Sequence, residues 1–469
     1  MSKKAIVIGA GFGGLAAAAR LRARGHSVTI VESGNQAGGR ARAFEREGFR
    51  FDAGPTVITA PYLFDELFEL FGKDRRDYFE LVPVDPFYRV AFPDGRQFDY
   101  VGDDERLFDE IAKFNSADVV GYKRLVEHSK RIFDVGYTEL VDADFSKFGD
   151  MMKIVPDLVR LKAYKSLYGL VGHYIKDDAL RQVFTFQPLL IGGNPFRAPA
   201  IYLLIHWLER KWGIHFAMGG TAAIVRGLCQ MLGEVGVDIR LNAPVERIEV
   251  VNGRARGVLL EDGTFLDAEV VVSNADPATV YTKLLDASHR RKHTDGSIAR
   301  KRYSMSLFVA YFGTKKTYPD LAHHSILLGP RYRELLTDIF DRKQLADDFS
   351  LYLHAPTRTD ASLAPAGNES FYVLSPVPNQ KSGIDWAVEG PRYMDKILDA
   401  LDAEHLPGLR ENLVTQFHVD PRYFEGELRS YRGAAFGLEP TLRQSAYFRF
   451  HNESEDVGGL YFVGAGVHP

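Results

Sequence analysis

Near the N-terminus the apolar positions run unbroken from Ala5 to Ile8, a β-branched-rich stretch that predicts a buried strand. A glycine turn follows, and Gly14 to Arg24 has the alanine–leucine character of a helix. Ser27 to Val31 predicts a second strand, completing a βαβ start. A second α/β block spans Gly220 to Asn274, with a helix from Ala222 to Leu232 and short strands at Asp238–Leu241, Val245–Val251, Ala255–Leu260 and Glu269–Val272. Asn252-Gly253 and Asp262-Gly263 mark turns between these strands, because both dipeptides tolerate positive φ. A last strand is predicted at Leu460–Val463. Between the three pieces lie a largely helical stretch, roughly 103–212, and a mixed one, roughly 300–415, with no internal repeat or low-complexity tract. The pattern predicts one Rossmann-like nucleotide-binding domain of α/β class, assembled from three discontinuous segments, with another domain inserted between them.

Length and composition sharpen this picture. At 469 residues the chain is long enough to bury a sizeable core, and 26% charged with 45% hydrophobic residues is ordinary for a globular protein. The net charge of −4, from 58 basic and 62 acidic residues, argues against a general nucleic-acid binder. Cys229 is the only cysteine, which excludes an intramolecular disulfide and a cysteine-cluster metal site and reads as intracellular. Lys3 and Lys4 followed by an apolar run imitate a secretory signal peptide, but the run holds Gly9-x-Gly11-x-x-Gly14 and flows into Arg20, Arg22 and Arg24. No window offers the roughly 18 apolar residues of a membrane span. The nearest, Pro188 to Trp207, is broken by glycines, prolines and an arginine.

The candidate chemistry begins with those glycines. Gly9 permits a tight turn, Gly11 allows backbone to approach a pyrophosphate, and Gly14 lets helix pack on strand. The phosphates would lie at the helix N-terminus. Glu32 closes the second strand, where an acid suits an adenosine ribose with free hydroxyls, as in FAD or NAD. Gly38-Gly39-Arg40 can set backbone amides and a guanidinium against phosphate oxygens, which tilts the cofactor towards FAD. Gly464-Ala465-Gly466, after the last strand, is a second place where backbone could approach a flavin. No second GxGxxG follows a strand, so no separate NAD(P)H domain is expected. The histidines show no HxH or HExxH spacing and predict no metal site. GxSxG is absent, and Cys229 in an apolar helix reads as a buried inert thiol. From Met151 to Ile175, Ile154, Leu158, Leu161, Tyr164, Tyr168, Val171 and Ile175 recur at helical spacing, with Lys153, Arg160, Lys162 and Lys165 alongside. That pattern suits a membrane-surface helix as well as a core-packing one, and Pro156 is expected to start or kink it.

Together these residues resemble a known family. Val7-Ile8-Gly9-Ala10-Gly11-Phe12-Gly13-Gly14, Glu32, Gly38-Gly39-Arg40 and Asp52-Ala53-Gly54-Pro55-Thr56 are similar to the carotenoid desaturases of the flavin amine oxidase superfamily. Leu190-Ile191-Gly192-Gly193-Asn194-Pro195-Phe196, Met218-Gly219-Gly220-Thr221, Ser273-Asn274-Ala275-Asp276, Phe349-Ser350-Leu351-Tyr352-Leu353-His354-Ala355-Pro356 and Leu460-Tyr461-Phe462-Val463-Gly464-Ala465-Gly466 look like the bacterial-type phytoene desaturases. The resemblance implies FAD as cofactor and successive desaturations of phytoene, a linear C40 hydrocarbon, towards lycopene, with a quinone or oxygen as electron acceptor. It maps FAD contacts onto Gly9, Gly11, Gly13, Gly14, Glu32, Gly39, Arg40, Gly464, Ala465 and Gly466, and an adenine-facing backbone position onto Val245. Phe148-Gly149-Asp150-Met151 keeps the acid of the family's Phe-x-Asp-Met motif, which implies a place for Asp150 near the reacting carbon. Lys153 stands where relatives carry arginine, so charge survives without the planar fork. Relatives continue past the position of Pro469 with a glycine–proline turn and a terminal helix that closes the flavin site, and FAD retention is expected to depend on it.

The family reading assigns 1–75, 216–298 and 416–469 to the FAD-binding domain and 76–102 with 299–415 to an α+β substrate domain. It assigns 103–215 to a helical, membrane-associating part. A C40 hydrocarbon, at about 0.8 kcal/mol per CH₂, faces a penalty on the order of tens of kcal/mol in water, so the enzyme must meet the lipid surface. This places it on the cytoplasmic side of a bacterial inner membrane, attached peripherally. Open alternatives are a desaturase or isomerase of another acyclic carotenoid, a flavin amine oxidase, and a non-catalytic isoprenoid-binding carrier.

Overall fold

In the computed structural model of the chain, the described residues are 2–139 and 146–467, with Glu139 and Asp150 described by their backbone alone. Five short strands form one parallel sheet in the order Leu460–Phe462, Val270–Ser273, Lys4–Ile8, Ser27–Val31 and Asp238–Arg240. The sequence order is thus scrambled in space, and three remote pieces of chain build one layer. Register aligns the ends: Ile8 pairs with both Ser273 and Val31, and Ser273 pairs with Phe462. The loops leaving these strands therefore collect at one carboxyl edge, where open α/β sheets bind ligands.

Helix Phe12–Ala23 covers one face of this sheet with Gly14, Leu15, Ala18 and Ala19 buried, small residues that allow close packing. Helix Thr221–Glu234 joins the same apolar cluster through Ile224, Leu228 and Met231. Strands Val245–Val251, Arg254–Leu260 and Phe265–Asp267 make a separate antiparallel sheet, with the two expected turns between them. Phe265–Asp267 is absent from the sequence reading, and the bounds of the other elements differ from it by one or two residues at most, the scatter of frayed ends.

The mixed segment contributes most of a seven-stranded sheet, ordered Leu413–Val419, Ser306–Thr314, Glu369–Val377, Leu351–His354, His324–Leu327, Tyr88–Ala91 and Gln97–Tyr100. Every pairing is antiparallel except that of His324–Leu327 with Tyr88–Ala91. Ser306–Thr314 is buried at all nine positions because both of its faces are covered. Phe308, Ala310 and Phe312 pack with Trp386, Ile397 and Leu398 of helix Trp386–Glu404, while Leu307, Val309 and Tyr311 join the larger core.

The stripe predicted over 151–175 is corrected in two ways. It is not one helix: Phe148–Arg160 ends in a turn where Lys162 takes φ +52°, and a short helix, Leu167–Val171, starts afresh with Ser166 as its cap. Leu161, Val171 and Ile175 are core residues, not surface ones. The outward apolar face is a different one, with Phe148, Met152 and Val159 exposed and Tyr164 exposed in the turn after them. Pro156 lies within the helix on its solvent side. The run reads apolar on both sides, so helical spacing alone did not select the buried one.

Candidate functional site: a glycine-lined cradle at the sheet edge

The first strand ends at Ile8, and Gly9 turns the chain with φ +93°, a conformation that favours glycine. Gly9 N–H donates to Val31 O at 2.8 Å, which sets the turn against the second strand. A Cβ at Gly14 would lie 2.0 Å from Gly9 O, so only glycine lets the helix start this close. Gly11 bridges to Gly38, and Gly38 N–H donates to Ala10 O at 2.8 Å. The Gly38-Gly39-Arg40 turn therefore lies directly beside the phosphate-type loop.

Asn274, the residue after strand Val270–Ser273, organises the middle of the cradle. A Cβ at Gly11, Gly13 or Gly464 would come within 2.6, 2.5 and 2.4 Å of its side-chain amide. A Cβ at Gly13 would also lie 2.8 Å from Gly464 Cα, so the first and last strands' loops meet backbone to backbone. Gly464 takes φ +86°, and Ala465 O accepts from Arg449 Nη2 at 2.8 Å. Gly466 sits against Pro277, where a Cβ would be 2.4 Å from Cδ.

Glu32 holds the rim. Its Oε2 accepts from Ala10 N–H and its Oε1 from Gly34 N–H, both at 2.8 Å, leaving further lone pairs for other donors. Ala243 N–H donates to Glu32 O at 2.8 Å, which brings buried Val245 to the same rim two residues later. Arg40 is half-buried, its Nη2 3.4 Å from Ser430 Oγ and its Nε buried without a partner among the described residues. Burial pushes the guanidinium below its ordinary proton affinity, and the charge of Asp276 opposes that shift. Asp276 is itself pushed up by burial and accepts from the backbone N–H groups of Ala278 and Tyr431.

Below the cradle, the Asp52–Thr56 loop ties the two large sheets together. Asp52 Oδ1 accepts from Thr221 N–H at 2.8 Å, and Thr221 Oγ1 donates to Pro55 O at 2.5 Å. Burial raises the Asp52 carboxyl to about 7 despite these bonds. From the seven-stranded sheet, Tyr372 donates to Gly54 O at 3.1 Å and Tyr311 to Ala53 O at 3.3 Å.

The structure thus gathers Gly9, Gly11, Gly13, Gly14, Glu32, Gly39, Arg40, Val245, Gly464, Ala465 and Gly466 around one sheet edge. Asp150 falls in the first turn of helix Phe148–Arg160, and its side chain lies outside the described residues. Cys229 is half-buried, and burial pushes its thiol up to about 11, as suits an inert residue. Sequence reasoning passed over Asn274 and Asp276 as site residues. Their signal was positional: they follow a strand whose partners also end in glycine loops. A glycine floor without Cβ atoms, a helix N-terminus and a buried guanidinium with an unmade hydrogen bond fit the pyrophosphate of a dinucleotide.

Comparison with known proteins agrees. Residues 12–469 match the family of flavin containing amine oxidoreductases. A phytoene desaturase (lycopene-forming) of Pseudescherichia vulneris is 48% identical over 468 residues, covering 100% of this chain and 95% of the relative. A phytoene desaturase (neurosporene-forming) of Rhodobacter capsulatus is 44% identical over 472 residues, covering 99% and 90%. Among solved structures, an oxidoreductase from Methanosarcina mazei shares the fold at 18% identity with a TM-score of 0.64, covering 99% of this chain and 95% of that one. With its glycine-lined edge, its three-piece sheet and this full-length likeness, the chain belongs to the flavin containing amine oxidoreductases, in the branch of the phytoene desaturases.

Proposed function

We propose that the chain is an FAD-dependent desaturase acting on phytoene, in successive steps towards lycopene. The observation that carries this reading is the similarity to lycopene-forming desaturases along the whole length of the chain. Gly9, Gly11, Gly13, Gly14, Gly39 and Arg40 would hold the pyrophosphate, Glu32 the adenosine ribose, and backbone at Val245 the adenine. Gly464-Ala465-Gly466 would approach the flavin. Each desaturation removes a hydride and a proton from adjacent carbons and leaves a C=C bond. FAD, when bound, supplies the hydride acceptor, and a quinone or oxygen takes the electrons afterwards. An unpolarised C–H bond offers little handle for acid–base chemistry, so this chain's residues act by orienting the hydrocarbon and excluding water. Asp150 is the candidate acceptor for the proton.

The division into a cofactor domain (1–75, 216–298, 416–469), a substrate domain (76–102, 299–415) and a helical part (103–215) is supported by the sheets. All five parallel strands come from the first set and the seven-stranded sheet almost wholly from the second. Strand Leu413–Val419 pairs with the latter, which favours a boundary beyond Val419.

The substrate dissolves in lipid, so the protein docks on the inner membrane's cytoplasmic face. Among the described residues no helix is long and apolar enough to cross a membrane. The exposed Phe148, Met152 and Val159, flanked by exposed Arg160 and Lys162, are the docking face. Phe148 packs edge-on against Tyr447 at 5.5 Å, and exposed Phe448 comes next in the chain and widens the patch.

Expression in a phytoene-accumulating bacterial host tests the reaction by pigment extraction. Red lycopene, or a yellow partial product such as neurosporene, is expected. Extracts holding only phytoene, from cells with FAD-loaded protein, would sink phytoene as the substrate.

A further inference from the structure

We propose that His323, His324 and His354 form a binding site for a divalent first-row cation of the zinc type. No spacing in the sequence shows these residues as a ligand set; strand pairing assembles it. His324 and His354 are direct partners across the antiparallel pair of His324–Leu327 and Leu351–His354, and His323 immediately precedes the first of these strands. Each offers one ring nitrogen, and the three nitrogens lie within 4.8 Å of one another.

Their burial is nearly complete, at 5%, 0% and 1% exposure. His323 Nε2 and His354 Nε2 are 3.1 Å apart. Two imidazole nitrogens sharing a tetrahedral zinc ion would be separated by roughly 3.3 Å, given Zn–N bonds of about 2.0–2.1 Å. Histidine ligands generally have their other ring nitrogen fixed by a hydrogen bond. That outer shell is present here: His323 Nδ1 lies 2.6 Å from Thr359 Oγ1, and His324 Nδ1 lies 2.6 Å from Tyr352 OH. Each of these histidines thus has Nε2 free of its hydroxyl partner. His324 Nε2 is buried without any partner among the described residues, an expensive state for a polar nitrogen that a cation would relieve.

The chemistry of the set selects the cation. Three imidazoles suit zinc, copper or nickel and disfavour magnesium and calcium, which require oxygen ligands. Imidazole ligates a cation only as the neutral ring, the form that such deep burial favours. No carboxylate belongs to the set, so the ion keeps its charge and a hydroxide or halide is expected in the fourth position. The ion would pin the end of one strand to the start of its neighbour. Through Tyr352, whose hydroxyl also lies 2.8 Å from Thr56 Oγ1, it would stiffen the Asp52–Thr56 loop.

The test uses untagged, FAD-loaded protein. Elemental analysis should find about one zinc per chain, removable by chelator and restored by Zn²⁺ titration in a calorimeter. Co²⁺ in its place should show the visible bands of a tetrahedral site. Thr359→Val removes one outer-shell bond and should weaken Zn²⁺ binding by about 10–100-fold. His354→Gln should lower it further. Unaltered protein that neither carries zinc nor binds Zn²⁺ or Co²⁺ at millimolar concentration would overturn the proposal, and that result needs no variant to fold. Zinc bound equally well by folded Thr359→Val and His354→Gln proteins would place the metal elsewhere and also overturn it.

Discussion

Burial of Glu209 couples the stability of the fold to pH. It lies in helix Leu204–Trp212 with no exposed surface, accepting from Tyr88 OH at 3.1 Å and from Gln187 Nε2 at 3.4 Å. Burial raises its carboxyl from 4.5 to about 8, outweighing those hydrogen bonds. Between these two values the folded state keeps a proton that the unfolded chain gives up. Stability therefore falls as pH rises through that window, by up to about 1.4 kcal/mol per pH unit. Asp52, raised to about 7, adds in the same direction. Glu209→Gln keeps an acceptor and removes one titration. Its melting temperature should fall less steeply than that of the unaltered protein from about pH 5 to 8. Equal slopes would mean that Glu209 is charged in the folded state. None of this was legible in the sequence, where Glu209 simply precedes Arg210 and no motif marks it. Tyr88 and Gln187, which reach it from 121 and 22 residues away, supply what the local pattern lacked. The glycines of the cradle were legible because their constraint is local: the turn at Gly9 and the packing at Gly14 involve neighbours in the same βαβ unit. Asn274 was less so, since its role appears only when Gly11, Gly13 and Gly464 surround it.

At the scale of elements, strands with a simple environment were read well and the amphipathic helix was not. Asn252-Gly253 separates Val245–Val251 from Arg254–Leu260, and Asp262-Gly263 follows the second, whereas the three-residue strand Phe265–Asp267 was missed. Helix Phe148–Arg160 carries apolar residues on two faces, one packed inward through Leu158 and one left in solvent. An exposed row of large apolar side chains is costly for a soluble surface and useful at a lipid interface. Met152→Glu with Val159→Glu should weaken sedimentation with anionic phospholipid vesicles by about tenfold, since the apolar face supplies part of the binding. The paired change lies on the solvent side, so the melting temperature should hold. Undiminished vesicle binding by the folded variant would remove this helix from the docking face.

For the whole molecule, the question is how segments far apart in sequence stay in register. One answer is a charged clip at the junction of the helical, mixed and C-terminal segments. Arg197 binds Glu439 at 2.8 Å and Asp341 at 2.5 Å, and Arg302 binds the same two acids at 3.1 and 2.9 Å. Glu439 is buried, so losing either arginine would leave its charge poorly compensated. The other answer is the parallel sheet itself, whose last strand comes from Leu460–Phe462 and brings a third glycine loop to the first. That assembly was foreseen from the spacing of α/β patterns, whereas the seven-stranded order was not, because no motif in the sequence links its strands. The proposed function requires the assembled cradle to present FAD to a lipid-borne hydrocarbon. Its most direct test is an anaerobic single turnover, mixing FAD-loaded protein with phytoene-bearing liposomes and following the flavin's visible absorbance. Bleaching of the oxidised flavin is expected, in step with one new carotenoid double bond per flavin. Flavin that stays oxidised beside membrane-bound phytoene, in protein competent to bind those liposomes, would contradict it.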